Sequence, residues 1–97
     1  MPVLLDLNNP RFQDDLLGLP KVEAQALLKT LRKIRQLEWN GLYRDSGLNW
    51  EAIESRTGDD GERLYSIRIT QQCRAVVQRS REHMRFLELH TDHDSAY

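Results

Sequence analysis

The chain has 97 residues and a formal net charge of −1, with hydrophobic residues at 39% and charged residues at 30%. This length predicts one folded domain, and the composition excludes both a disordered chain and one with apolar membrane-spanning helices. The single cysteine, Cys73, excludes an internal disulfide and a multi-cysteine zinc site. Residues 1–10 lack the basic flank and long apolar run of a signal peptide, so we expect a cytoplasmic protein.

Charge is segregated along the chain although the total is almost neutral. Residues 21–44 and 66–85 each carry a net charge of +4, whereas residues 45–65 carry −4 and residues 86–97 carry −3. The near-neutral total excludes a generic nucleic-acid coat protein. If folding places the two basic blocks on one face, they form a local anion site; otherwise the pattern serves solubility alone.

Two helices are predicted in the first 40 residues. Asn9 is a typical helix N-cap, Pro10 fits the first helical position, and Gly18 is a typical stop. Pro20 opens a longer helix that we expect to reach about Glu38. Its apolar side chains follow the i, i+3, i+4, i+7 spacing of one buried stripe: Ala24, Leu27, Leu28, Leu31 and Ile34.

Three strands are predicted after the helices, because hydrophobic and polar residues alternate over 63–70, 73–79 and 84–90. The glycine-containing acidic segment between the helices and these strands is predicted to be a loop, anchored by Trp50 and Ile53. Helices followed by strands predict an α+β fold, with a helical hairpin on one face of a small, mainly antiparallel sheet of three to four strands. The fourth would come from residues 3–5. The opposite, more polar face then carries Arg68 and Arg74.

Three stretches carry a family resemblance over nearly the whole chain, from Phe12 to Tyr97. They are RFQDDLLGLPKVEAQALLKTLRKIRQL, LYSIRITQQCRAVV and FLELHTDHDSAY. In this order they resemble the helical hairpin, the central β-hairpin and the closing strand of the RelE/ParE superfamily of bacterial toxins. The last stretch includes the family's His-x-x-x-Tyr tail, here His93 to Tyr97.

The resemblance implies a toxin of a type II toxin–antitoxin pair. Its RelE-like branch cleaves messenger RNA on the ribosome, so the implied partners are an antitoxin protein, messenger RNA and the ribosome, with no membrane and no cofactor. The tail and the acidic segment favour this endoribonuclease branch. The alternatives are a ParE-like inhibitor of DNA gyrase without catalysis, and an inactive interaction protein with the same fold.

Metal-free RNA cleavage needs a base, an acid and a cation that stabilises the phosphorane. Arginine supplies the cation through bidentate contacts to phosphate oxygens, and histidine titrates near neutral pH. Arg74, with Arg68 beside it, is therefore the candidate transition-state stabiliser, and His93 the candidate general acid. Tyr97 would stack on a base or orient the phosphate. NWEAIE resembles a family loop with a catalytic glutamate, which maps onto Glu51.

Several assignments remain open from the sequence alone. His90 is an alternative acid, and Glu54 competes with Glu51 as base. The two arginines alternatively form surface ion pairs with Asp59, Asp60 or Glu88.

The second helix carries a basic group that bears on RNA binding. Its members project from nearly the opposite side to the apolar stripe: Lys29, Arg32 and Lys33. They would hold RNA phosphates or simply form a solvated helix face. His90 and His93 lie three residues apart, but without a cysteine partner a metal site is disfavoured.

Overall fold

The protein is described here by a computed structural model, which covers residues 1–91. Within these residues it forms three helices and five strands. In chain order they are β1 (Leu4–Asp6), α1 (Pro10–Leu17), α2 (Lys21–Ile34), α3 (Trp39–Tyr43), β2 (Glu51–Thr57), β3 (Arg63–Thr70), β4 (Cys73–Ser80) and β5 (His83–Thr91).

The start of α1 follows the sequence prediction. The Asn9 side chain accepts hydrogen bonds from the backbone N–H groups of Arg11 (2.8 Å) and Phe12 (3.2 Å). Pro10 occupies the first turn, and Gly18 caps the C-terminus. These two bonds satisfy N–H groups that have no partner inside the helix.

The second helix ends at Ile34, so the predicted extension to about Glu38 is wrong. Residues 37–39 pair with the N-terminal segment instead. The Val3 N–H donates to the Leu37 carbonyl (3.4 Å), and the Trp39 N–H donates to the Met1 carbonyl (3.1 Å). This long-range pairing competes with helix continuation, and a short third helix follows from Trp39.

The sheet has five strands in the order β1-β5-β4-β3-β2. Its neighbours are antiparallel except for β1 and β5, which run parallel. The α+β class is confirmed, but the sheet is mixed and larger than the predicted three to four strands.

The extra strand is β2, which lies in the segment predicted to be a loop. Its side chains are mostly exposed, with only Ile53 buried. It is an edge strand, and its pairing with β3 is irregular between Ala52 and Thr57. Because most side chains of β2 are exposed on both sides and its register is irregular, the sequence shows no clear alternation of apolar and polar residues there.

The helices cover one face of the sheet, where the main core lies. Phe12, Leu27 and Ile34 are fully buried there against sheet residues such as Ile67 and Phe86. Trp39 is also buried there, and Trp50, one of the two predicted anchors, packs against this core.

Leu28 corrects the predicted apolar stripe of α2, because it is 50% exposed. It directly follows the buried Leu27, about 100° further around the helix. The sheet therefore covers a narrower strip of α2 than the sequence spacing predicts.

The other face of the sheet is called the outer face and carries Leu64, Ser66, Arg68, Arg74 and Val76. A smaller cluster of Ile53, Leu64 and Val76 is buried there, with Leu87 packed against it. No helix within residues 1–91 is both long enough and apolar enough to cross a bilayer.

Candidate functional site

Three polar residues are adjacent across the outer face. Arg68 on β3 is the register partner of Arg74 on β4, and Arg74 is in turn the register partner of His90 on β5. Directly paired residues of antiparallel strands place their side chains on the same face, with Cβ atoms about 4.5–5.5 Å apart. We call Arg68, Arg74 and His90 the cross-strand row.

The two arginines of the row have no counter-ion among residues 1–91. Four arginines of this part of the chain are partly buried. Arg56 is paired with Glu88, and Arg85 with Asp6 and Asp60. Arg68 and Arg74, by contrast, form no side-chain hydrogen bond or ion pair within the described residues. Like charges directly opposite each other are unfavourable in a sheet, so this pair is suited to receive an anion.

The proposed surface ion pairs of Arg68 and Arg74 are therefore not formed. Asp60 accepts from the Gln78 side chain (3.0 Å) and lies 4.0 Å from Arg85. Glu88 pairs with Arg56 and His90. Asp60 is paired with Arg85 and Glu88 with Arg56, so within residues 1–91 neither carboxylate neutralises Arg68 or Arg74.

Glu88 is an acidic group in direct contact with the row. Its two carboxylate oxygens accept from the Arg56 guanidinium at 3.1 and 2.8 Å, and one of them lies 2.7 Å from His90 Nε2. The hydrogen bonds from Arg56, with a smaller contribution from His90, lower the pKa of Glu88 from 4.5 to about 2. Glu88 is therefore ionised near neutral pH, and its carboxylate can accept a hydrogen bond from an N–H group at His90 Nε2.

The C-terminal end of β2 folds over the outer face. Arg56 reaches Glu88 on β5, although β3 and β4 lie between their strands. The turn that follows is fixed by Asp60, which bonds to Gln78 on β4. Between this turn and β5 lies a cavity of about 390 Å³ with Leu64 and Leu87 among its lining residues. Glu88 lines this cavity and also contacts His90, so the cavity adjoins the row.

Glu51, the predicted base, lies at the start of β2 rather than in a loop. It is exposed, its register partner is Ser66, and its carboxylate accepts from Asn49 Nδ2 at 3.1 Å. Ser66 is two residues before Arg68 on the same face. Glu51 is therefore diagonal to the row, one step along the sheet.

The basic residues of α2 are divided between two surfaces. Lys29 and Lys33 line a cleft of about 320 Å³ together with Arg68. Lys33 is held by Asp45 at 2.9 Å, and this hydrogen bond lowers the pKa of Asp45. Arg32 lines a different surface beside Leu5. Two of the three predicted RNA-binding residues thus share a cleft with the row.

His93 and Tyr97 lie outside the described residues, so their predicted roles stay predictions. Cys73, the single cysteine, is fully buried on β4. Within residues 1–91 no cluster of three or more histidine, cysteine or acidic side chains could hold a metal ion.

Sequence reasoning missed the part that Arg56 and Glu88 play. Glu88 was considered only as a surface partner of the row arginines, and Arg56 was not singled out. The spacing of Glu88 and His90 was an available signal, since residues two apart on a strand share a face. Nothing local indicated Arg56, which lies 32 residues from Glu88.

Comparison with solved structures gives the fold a context. The structure is similar to a chain of the archaeal RelE–RelB complex from Pyrococcus horikoshii OT3, with a TM-score of 0.66, 18% identity, and 94% of this chain and 96% of that chain covered. It is also similar to a copper-bound mutant toxin from Helicobacter pylori, with a TM-score of 0.55, 20% identity, and coverage of 98% and 99%. No protein-family model and no curated protein matches the sequence. The chain has a RelE-like toxin fold.

Proposed function

We propose that this protein is the toxin of a type II toxin–antitoxin pair and an endoribonuclease that cleaves messenger RNA on the ribosome. The observation that carries the proposal is the cross-strand row. Arg68 and Arg74 face each other without a counter-ion among residues 1–91, and His90 stands next to Arg74. A phosphodiester would supply the missing negative charge at a position where an imidazole can exchange a proton.

The row matches the needs of metal-free cleavage. The 2′-oxygen of the RNA attacks phosphorus, negative charge accumulates on the phosphorane oxygens, and the bond to the 5′-oxygen breaks. Arg74 and Arg68 stabilise the phosphorane through directed N–H donors. Histidine protonates the leaving oxygen, with His90 and His93 as the candidates.

A general base and an aromatic group that stacks on the RNA complete the proposed site. Glu51, one step from the row, or Glu54 would take the proton of the 2′-hydroxyl group. Tyr97 would stack on a base near the scissile phosphate and fix the attack angle.

Lys29, Lys33 and Arg68 favour a path for the RNA backbone around the edge of β3. The shared cleft extends the positive charge of the row towards α2. Arg32, on its separate surface, would contact other phosphates of the ribosome. Phosphate contacts of this kind position a nucleic acid without reading its sequence.

An antitoxin partner is supported by the similarity to a chain of the RelE–RelB complex. Acidic groups of such an antitoxin would neutralise Arg68 and Arg74 and so block the row. The protein would then act in the cytoplasm, where messenger RNA is translated.

The proposal is tested by adding purified protein to ribosomes programmed with a defined messenger RNA. We expect wild-type protein to cut the transcript, and Arg74→Ala to lose this activity while keeping its fold. Arg63→Ala is the matched control, because Arg63 is an exposed arginine at the far end of β3. It should retain wild-type cutting.

Two outcomes would contradict the proposal. Full cutting by a folded Arg74→Ala variant would remove the row from the mechanism. Intact transcripts with wild-type protein, together with inhibited DNA supercoiling, would favour a gyrase inhibitor instead.

A further inference from the structure

A three-residue chain of hydrogen bonds leads from β2 to the row. The Arg56 guanidinium grips the Glu88 carboxylate through Nη1 (3.1 Å) and Nη2 (2.8 Å), and Glu88 Oε1 lies 2.7 Å from His90 Nε2. The side chains of Glu88 and His90 are only 14% and 11% exposed. Such short contacts between partly buried groups fix orientation better than an exposed ion pair does.

Each contact constrains the next group. The two parallel N–H···O bonds from Arg56 fix the plane of the Glu88 carboxylate. An ionised carboxylate only accepts hydrogen bonds, so a neutral His90 ring carries its proton on Nε2. The 2.7 Å contact thereby holds the His90 ring in one orientation.

We propose that Glu88 is a positioning residue that orients His90 for proton transfer in the cleavage reaction, with Arg56 bracing Glu88. This inference rests on the proposed function and selects His90 over His93 as the acid. Its basis is that Glu88 is the register partner of Val76 and holds a ring whose own register partner is Arg74. The ring is thereby kept beside the guanidinium that would bind the phosphate.

The reaction that follows is balanced in protons. The 2′-oxygen forms a bond to phosphorus and loses its proton to the carboxylate base, Glu51 or Glu54. The bond between phosphorus and the 5′-oxygen breaks, and the leaving oxygen takes a proton from the His90 imidazolium. The products are a 2′,3′-cyclic phosphate and a 5′-hydroxyl group.

The first test needs no RNA. Long-range ¹H–¹⁵N correlation spectra of the histidine rings should show the Nε2–H tautomer for neutral His90 in the wild-type protein. Glu88→Gln should change this to a mixture of tautomers, because a carboxamide can both donate and accept. Unchanged ring nitrogens in Glu88→Gln would overturn the positioning role.

The second test measures cleavage of a defined messenger RNA on ribosomes. Glu88→Gln should lower kcat at least about tenfold and leave KM nearly unchanged, since a general acid contributes roughly 10²- to 10⁴-fold. Asp6→Asn is the matched control, because Asp6 is a partly buried carboxylate paired with Arg85 near the other end of β5. It should change neither kcat nor the His90 spectrum.

A third variant keeps the proposal testable if Glu88→Gln does not fold. Arg56→Lys keeps the positive charge but loses the bidentate grip, and it should show a smaller change in both readouts. A wild-type kcat in either folded variant overturns the inference. If the wild-type protein cuts no RNA, the proposed function fails, whereas the ring spectra still report separately whether Glu88 sets the state of His90.

Discussion

Replacing Arg74 by glutamine should make the protein slightly more stable and much less active. The Arg74 side chain lies directly opposite Arg68 on the neighbouring strand β3, and it has no hydrogen-bond acceptor among residues 1–91. Glutamine is shorter by two atoms and carries no charge, so at this partly buried position the substitution removes the repulsion.

The size of the effect follows from the geometry. Opposed like charges on a sheet cost about 0.2–1 kcal/mol, so the free energy of unfolding should rise by about 0.5 kcal/mol. For a domain of this size that is a rise in Tm of roughly 2–4 °C. Loss of one directed donor to a developing oxyanion lowers kcat by about 10²- to 10³-fold.

Urea unfolding followed by tryptophan fluorescence measures the stability change, and cleavage of ribosome-bound messenger RNA measures activity. Arg56→Gln is a comparison variant for which we expect the opposite change in stability, because it breaks the bidentate pair with the partly buried Glu88. It should lower the free energy of unfolding by about 1–3 kcal/mol. If Arg74→Gln were destabilising by a similar amount, Arg74 would have a structural role and the argument from its missing counter-ion would fail.

Two further predictions concern the outer face. The free energy of unfolding should fall as pH decreases from about 5 to 2. The Glu88 carboxyl group, with its pKa lowered from 4.5 to about 2 in the folded state, stabilises the protein above the higher value and loses this contribution as it is protonated. The shift corresponds to about 3 kcal/mol, and urea unfolding of Glu88→Gln should show a shallower decline. Gly58→Ala should destabilise the protein by about 1–3 kcal/mol, because its Cβ would lie 2.5 Å from Gln78 Nε2. Thermal unfolding should show little change for Gly41→Ala, whose Cβ would meet nothing within 4 Å.

The parts of the fold that sequence predicts are those with a strong local pattern. Strand β3 coincides with the predicted residues 63–70, and α1 starts and ends at its predicted caps. The end of α2 and the edge strand β2 could not be predicted in the same way. Both are decided by pairing with distant segments, residues 1–3 in one case and β3 in the other.

The same distinction applies to the candidate site, where local patterns predict some of the contacts and long-range folding decides the others. Arg68 and Arg74 could be placed together because a short turn joins their strands and alternation puts both on the polar face. The hydrogen-bonded chain from Arg56 through Glu88 to His90 could not be predicted, because it depends on β2 folding across two intervening strands. Side-chain contacts between segments 32 residues apart leave no periodic signal in the sequence.

The parallel pairing of β1 with β5 has a consequence for biosynthesis. Leu4 pairs with His83, so β1 can join the sheet only after β5 has been synthesised. His90 belongs to that same last strand. Addition of β1 to the sheet and placement of the His90 imidazole beside Arg74 therefore both depend on the same strand, β5.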